Sequence, residues 1–227
     1  MKIFIAGASG GIGSYLAEML STQHQVYGSY NSRPPSVATK HFMAKVDISS
    51  QDEVTSWISS NSREDDDLAL IFCVGINYNS MIHKSKSEKW QKVIETNLYG
   101  VQAILKEILP LMRKRRFGRI ILFSSVVPQK GVLGTSAYAA SKSALWGLSK
   151  AVAKENATHG ITINTINLGY FDIGMIQDVP SEMLNKIIEE IPMQRLGDPI
   201  NILYTVEYLL AADYITGSCI DVSGGLV

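Results

Sequence analysis

Apolar positions along this chain follow two alternating periods. Short β-branched or aromatic runs read as strands: Lys2 to Ala6, His24 to Tyr30, His41 to Val46, Leu68 to Val74, Arg119 to Phe123, Ile161 to Ile166 and Gly217 to Val222. Between them the spacing becomes helical. Tyr15, Leu16, Met19 and Leu20 mark one helix, and Ser50-Gln51-Asp52-Glu53 fits a capping box for another through Ile58. A broad apolar face that includes Trp90, Val93, Leu98, Ile104 and Ile108 predicts one long helical segment from Glu88 to Met112. Leu145, Leu148 and Val152 follow Tyr138 on a further helix. Pro180 to Ile191 is short and amphipathic, suited to a lid, and Asp198 with Pro199 starts a last helix through Leu210. Leu68 to Val74 is continuously apolar, as a central parallel strand requires. The pattern predicts α/β: a single doubly wound domain, residues 1–227, with a seven-stranded parallel sheet and helices on both faces. Between Arg33 and His41 no helical period fits, so one crossover helix is expected to be shortened or missing after strand 2.

The junctions between elements carry the candidate chemistry. The first strand runs into Gly7-Ala8-Ser9-Gly10-Gly11-Ile12-Gly13, and a helix follows. Such a turn offers free N–H groups at the positive end of a helix, and the missing Cβ atoms admit a pyrophosphate. A tight turn with no ligand is the alternative. After the second strand come Asn31, Ser32, Arg33 and two prolines, with no carboxylate at the strand end. An acidic residue there would bind a ribose 2′-OH, whereas its absence with Arg33 nearby suits a 2′-phosphate, so NADP(H) is favoured over NAD(H). A solvated Arg33 is the competing reading. Asp47-Ile48 follows the third strand and Gly75 the fourth, both at the same edge of the sheet. Asn97 sits inside the long helix, where an amide is usually a packing contact. Arg113 to Arg116 closes that helix in keeping with its dipole, ahead of docking to an acidic carrier protein or nucleic acid. Arg63 to Asp67 reads as a solvated charged turn.

Tyr138 and Lys142 are one helical turn apart, and Ser125 ends a strand thirteen residues before Tyr138. A fixed ammonium beside a phenol favours the phenolate and is expected to lower its pKa, making Tyr138 an acid/base, while the Ser125 hydroxyl could hold a carbonyl oxygen. The pair Tyr-x-x-x-Lys alone is also common on ordinary helix faces.

Composition narrows the partners. Lys plus Arg and Asp plus Glu both total 21, which gives no global attraction to nucleic acid or anionic membrane. A hydrophobic content of 46% suffices for a sizeable core. Only Cys73 and Cys219 are present, so no disulfide framework is expected and a cytoplasmic location is. No run has the length of a membrane span or signal peptide. The four histidines have no ligand spacing, and no metal is expected.

Together these motifs resemble the short-chain dehydrogenase/reductase family over nearly the whole chain, and the resemblance implies a Rossmann-like fold. Ala6 to Gly13 looks like the family's cofactor loop, and Asp47 like its adenine-contacting aspartate. Asn97-Leu98-Tyr99-Gly100 looks like the motif with a catalytic asparagine, beside the Ser125/Tyr138/Lys142 set. Pro192 to Pro199, Tyr214 to Gly217 and Asp221 to Gly225 look most like the 3-oxoacyl-carrier-protein reductase branch. The resemblance implies an oxidoreductase, a ketoreductase using NADPH on a 3-oxoacyl thioester or similar ketone, free or bound to a carrier protein. In it Asn97 would hold a relay water, and Lys142 would also bind ribose. It further implies a homotetramer or homodimer. Four departures stand out. Phe72-Cys73-Val74-Gly75 replaces Asn-Asn-Ala-Gly, Leu168-Gly169 replaces Pro-Gly, and Ile173 replaces a cofactor-bonding threonine. Gly10 stands where many NADP-preferring members have a basic residue. Two rival readings remain: an NAD(P)-linked dehydrogenase of a small alcohol, sugar or secondary metabolite, and a non-catalytic dinucleotide-binding regulator or scaffold.

Overall fold

The structure, a computed structural model, describes residues 1–35 and 43–227. Seven strands form one parallel sheet: β1 Lys2–Ala6, β2 Gln25–Tyr30, β3 Met43–Lys45, β4 Leu68–Phe72, β5 Gly118–Ser125, β6 Ile161–Leu168 and β7 Cys219–Val222. Their spatial order is β3-β2-β1-β4-β5-β6-β7. The chain reverses its direction of winding between β1 and β4, and the crevice at the carboxyl ends of these two strands is where a doubly wound sheet binds ligands.

Side-chain alternation on the strands makes two cores. Phe4, Leu70, Phe72, Ile120 and Leu122 face one way, against α2 (Gln51–Asn61), α4 (Gly100–Arg115) and α6 (Ser136–Asn156). Ile3, Ile5, Ile71, Ile121 and Phe123 face the other, against α1 (Gly11–Leu20) and α8 (Ile200–Ala211). Every residue of β4, β5 and β6 is buried; β4 is accordingly apolar throughout, whereas β6 interleaves its apolar residues with Thr162, Asn164, Thr165 and Asn167, polar side chains that are hidden as well. The remaining helices are α3 (Ser87–Ile94), a four-residue α5 (Val127–Lys130) and α7 (Ser181–Glu190).

Several sequence expectations change in detail. The long helix from Glu88 is interrupted. A π segment, Glu95–Tyr99, joins α3 to α4, because one extra residue in a turn shifts the ladder without removing the apolar face. Helix α4 closes in the basic run, as expected, with Arg116 left-handed at φ 57° and tied by its guanidinium to the Thr158 carbonyl (2.8 Å). The charged turn after α2 is not simply solvated: Asp66 pairs with Lys2 (2.7 Å), Asp67 with Arg115 (2.9 Å) and Glu64 with Lys114. The capping box is half made. Ser50 Oγ accepts the Glu53 N–H (3.4 Å), but Glu53 Oε2 accepts the Asp47 N–H (2.8 Å) instead of that of Ser50. The start of the expected third strand, at His41, and the shortened crossover lie outside the described residues.

Candidate active site

Strand β5 delivers Ser124 and Ser125 to the carboxyl edge of the sheet, and the first turns of α6 bring Tyr138 and Lys142 over them. Ser124 Oγ donates to the Lys142 carbonyl (3.0 Å), which pins the helix to the strand end. Ser125 Oγ accepts the Val127 N–H at 3.1 Å, which leaves its own proton to turn toward Tyr138. Tyr138 lies beside it. Burial is the largest influence on the phenol and raises its pKa; the Ser125 hydroxyl, hydrogen-bonded to it, pulls the other way, and the nearby Tyr170 phenol pushes it further up.

That direction reverses the expectation of a phenol pulled down by its lysine. The Lys142 ammonium is 5.8 Å from the Tyr138 ring centroid and spends its protons elsewhere, on the carbonyls of Phe123 (2.8 Å) and Val74 (3.3 Å). It is only 3% exposed, and burial lowers its pKa to about 8. Gly75 explains how the ammonium fits: a Cβ there would come within 3.2 Å of Lys142 Nζ.

Asn97 is completely buried in the π segment. Its Oδ1 accepts the Ile76 N–H (2.9 Å), and its Nδ2 donates to the Ile76 carbonyl (2.9 Å) and to Ser141 Oγ (3.0 Å). Both amide protons are therefore used within the protein, and the side chain joins the chain after β4 to α6. Ser141 continues the link by donating to the Tyr138 carbonyl (2.8 Å). Sequence reasoning passed over Ser141. Its place three residues after Tyr138, on the same helical face, was the available signal.

The glycine turn lies at the crevice between β1 and β4. Gly7 takes φ +80°, and Gly13 packs so closely that a Cβ would meet the Gly7 carbonyl oxygen at 2.2 Å. The N–H groups of Gly11, Ile12 and Gly13 belong to the first turn of α1 and have no helical acceptor. A cavity of 430 Å³ beside them is lined by Ser9, Gly10, Ser14, Glu18, Arg33 and Gln177, among others. Arg33 thus reaches the glycine turn from the end of β2. Asp47 holds Ser49 through its N–H (2.9 Å) and hydroxyl (2.6 Å), and these bonds, the hydroxyl's first, keep its carboxyl below the usual range, with the Asn31 amide adding to the effect. Ile48 is buried against Gly100, where a Cβ would meet its Cδ1 at 2.5 Å. Ser32 follows Asn31 in the bend beyond β2 and precedes Arg33.

After β6, Gly169 packs on Ser223 and donates its N–H to Val222 (3.0 Å), while Ile173 lies partly buried against the α1–α8 core. A polar chain that sequence gave no hint of also runs here, from the buried Asn167 out to the exposed Asp221 and Gln129. Trp146 Nε1 donates to Asn167 Oδ1 (2.7 Å), Asn167 Nδ2 donates to Asp221 Oδ1 (2.7 Å), and Gln129 Nε2 on α5 donates to the same oxygen (3.1 Å). Among the described residues no cluster of three or more His, Cys, Asp or Glu could hold a metal, and no helix is long and apolar enough to cross a membrane.

The family model described as enoyl-(acyl carrier protein) reductase matches residues 7–227. Among curated proteins, the chain is 35% identical to an acetoacetyl-CoA reductase of Shinella zoogloeoides over 231 residues, covering 97% of this chain and 96% of that protein. A second acetoacetyl-CoA reductase, from Rhizobium meliloti (strain 1021), is 43% identical over 159 residues, 69% of this chain and 66% of the relative. The 3-oxoacyl-(acyl-carrier-protein) reductase FabG of Escherichia coli (strain K12) is 33% identical over 234 residues, 98% and 95% of the two chains. With this sheet, this cleft and these relatives, the chain belongs to the short-chain dehydrogenase/reductase family and is an oxidoreductase acting on C=O or CH–OH groups.

Proposed function

We propose that the protein reduces the ketone of a 3-oxoacyl thioester to the alcohol with NADPH, in the cytoplasm, as a homotetramer or homodimer. The observation that carries the reading is geometric: Ser125 at the end of β5 is hydrogen-bonded to the Tyr138 phenol on the first turns of α6, with Lys142 Nζ 5.8 Å from the phenol ring, so a proton donor, a second hydroxyl and a cation converge at the carboxyl edge of the sheet. The thioester substrate is supported by the printed names of the relatives, two acetoacetyl-CoA reductases and a 3-oxoacyl-(acyl-carrier-protein) reductase. Arg33 at the glycine-turn cavity supports the 2′-phosphate.

The residues present fit a nicotinamide dinucleotide: free N–H groups on the first turn of α1, a glycine cradle that side chains would fill, and Arg33 beside it. When bound, that cofactor supplies a hydride to the carbonyl carbon of the substrate. Ser125 donates a hydrogen bond to the ketone oxygen and strengthens it as negative charge develops there. Tyr138 gives that oxygen its proton, completing the alcohol and leaving a phenolate. The Lys142 cation, fixed by the carbonyls of Phe123 and Val74, stabilises the phenolate without moving. Asn97 acts as a positioning residue, holding Ile76 and, through Ser141, the Tyr138 turn of α6.

The test is consumption of NADPH by purified protein with acetoacetyl-CoA, followed by nicotinamide absorbance, against simple ketones and against NADH. Turnover with the thioester that disappears in Tyr138→Phe is expected. No turnover of any 3-oxoacyl thioester or ketone with either cofactor would sink the proposal and favour the non-catalytic reading.

A further inference from the structure

The longest cationic run of the chain, Arg113 to Arg116, is engaged inside the fold. Arg113 donates to Asn156 Oδ1 (2.8 Å) and Arg116 to the Thr158 carbonyl (2.8 Å), both at the end of α6, while Lys114 pairs with Glu64 and Arg115 with Asp67 (2.9 Å). The run also precedes β5, at the amino edge of the sheet, away from Ser125 and Tyr138. Other cations stand at the carboxyl edge. Between Ile76 and Ile94, after β4 has reached the cleft, the chain carries four lysines and one carboxylate, Glu88. Lys92 lies 3.9 Å from Glu95. Lys84, Lys86 and Lys89 are exposed and, among the described residues, have no carboxylate within ion-pair distance.

The segment that carries these three is fixed, and it is joined to the site. Asn97 holds both main-chain groups of Ile76 (2.9 Å each). The Ser80 N–H donates to the carbonyl of Gly134 (2.8 Å), four residues before Tyr138. A 3₁₀ turn, Ile82–Lys84, follows, and Ser85 Oγ closes it on the Ile82 carbonyl (2.8 Å). Tyr78 Oη accepts the Lys86 N–H (3.0 Å), and Lys89 Nζ is 5.7 Å from the Tyr78 ring centroid, so one aromatic side chain gathers two of the three lysines. Exposed Met81 and Leu133 flank the Ser80–Gly134 contact and make an apolar step between cleft and cations.

We propose that Lys84, Lys86 and Lys89 form a phosphate-binding rim that holds the nucleotide end of coenzyme A while its thioester lies at Tyr138. This rests on the thioester reading made above. Coenzyme A carries its pyrophosphate and 3′-phosphate at the end of a long flexible arm, remote from the sulfur, so its charges are met outside the cleft and its arm crosses the apolar step. Lysines suit that task, because each is a point charge on a flexible stem that follows a mobile phosphate without demanding one geometry. Three cations within six residues match the footprint of a few phosphates. An acidic carrier protein needs a broader basic face, and the run that would offer one is neutralised by Glu64 and Asp67.

Steady-state rates at saturating NADPH test the rim, with acetoacetyl-CoA set against S-acetoacetyl-N-acetylcysteamine, the same thioester without phosphates. The triple variant Lys84→Ala/Lys86→Ala/Lys89→Ala should raise the KM for acetoacetyl-CoA about tenfold, since exposed ion pairs are weak singly and three act together. Its kcat, and its KM for the truncated thioester, should match the wild type. Lys114→Ala/Arg115→Ala should leave both KM values unchanged. An unmoved KM for acetoacetyl-CoA in the triple variant, or an equal rise with both thioesters, overturns the rim. So does a 3-oxoacyl carrier protein that is used at far lower KM than acetoacetyl-CoA and is the only substrate weakened by the variant. Titration calorimetry with free coenzyme A and with 3′-dephospho-coenzyme A needs no turnover. The wild type should bind the first more tightly than the second, and the triple variant should lose the difference. That result in a protein that reduces no thioester would leave the rim standing and remove the function proposed above. Coenzyme A bound no better by the wild type than by the triple variant removes the rim, whatever the activity.

Discussion

The Lys142 ammonium sits 2.8 Å from the Phe123 carbonyl oxygen, so the cation beside Tyr138 is anchored to the end of β5 and not to the phenol. Its pKa falls to about 8 because the group is buried, with the neighbouring Cys73 opposing the fall. Two effects of pH follow with opposite sign. Reduction needs the cation, so kcat should decline as pH rises through about 8. Folding behaves the other way. An unfolded lysine keeps its proton to about 10.4, so between about 8 and 10.4 the unfolded chain binds more protons and this group adds stability as pH rises. A pH–rate profile run beside urea melts at about pH 7.5 and about pH 9.5 checks both; the Lys142→Met variant should lose the pH-dependent stability increment.

Asn97 should matter first for stability and only through it for rate. Asn97→Ala leaves the Ile76 N–H and C=O without their partner and removes the donor to Ser141 Oγ, all at a side chain that is completely buried. The expected loss is about 2–4 kcal/mol. Asn97→Asp keeps the acceptor for the Ile76 N–H but sets a carboxylate against the Ile76 carbonyl, and should be no better tolerated. Denaturant midpoints at constant m-value measure both.

The framework of this fold was open to reading because local signals and tertiary needs agree. Buried strands such as Leu68 to Phe72 must be continuously apolar, and the turn from Gly7 to Gly13 must be glycine-rich to pack α1 on β1. What escaped depends on distant groups. The π segment at Glu95–Tyr99 adds one residue to a turn, a change that an apolar face averages over. The Tyr138 direction was missed because helical spacing shows Lys142 next to it, whereas burial and the carbonyls of Phe123 and Val74 come from strands far away in sequence. The acidic turn after α2 looked solvated for the same reason: Lys2 and Arg115 reach it only in the folded chain.

Gly75 gives a test that separates rate from stability. An added methyl would lie 3.2 Å from Lys142 Nζ and 3.4 Å from its Cε. The ammonium must give way by a few tenths of an ångström, at the cost of its 2.8 Å bond to Phe123. Gly75→Ala should therefore lower kcat by about tenfold or more, the scale of misplacing a group that stabilises transition-state charge. Its midpoint in urea should shift by no more than about 1 kcal/mol, since the neighbouring backbone is not crowded. Equal kcat in the variant would show that the cation tolerates displacement.

On the proposed reading Arg33 carries the choice between the two cofactors, and the prediction is one of ratio. It shares the 430 Å³ cavity with Ser9, Gly10 and Glu18 at the foot of α1. Gly10 offers no side chain, so the charge that would meet a 2′-phosphate has to come from Arg33, while the Glu18 carboxylate disfavours an anion at its own end of the cavity. A charged hydrogen bond of this kind is worth about 1.5–3 kcal/mol, or roughly 10- to 150-fold in binding. Arg33→Ala should raise the KM for NADPH by that factor and leave the KM for NADH nearly unchanged, because a ribose 2′-OH has no charge to lose a partner. The ratio of kcat/KM values for the two cofactors is the measurement, and it should collapse toward one in the variant. An equal loss with both cofactors would mean that Arg33 holds the glycine-turn cavity open without reading the phosphate.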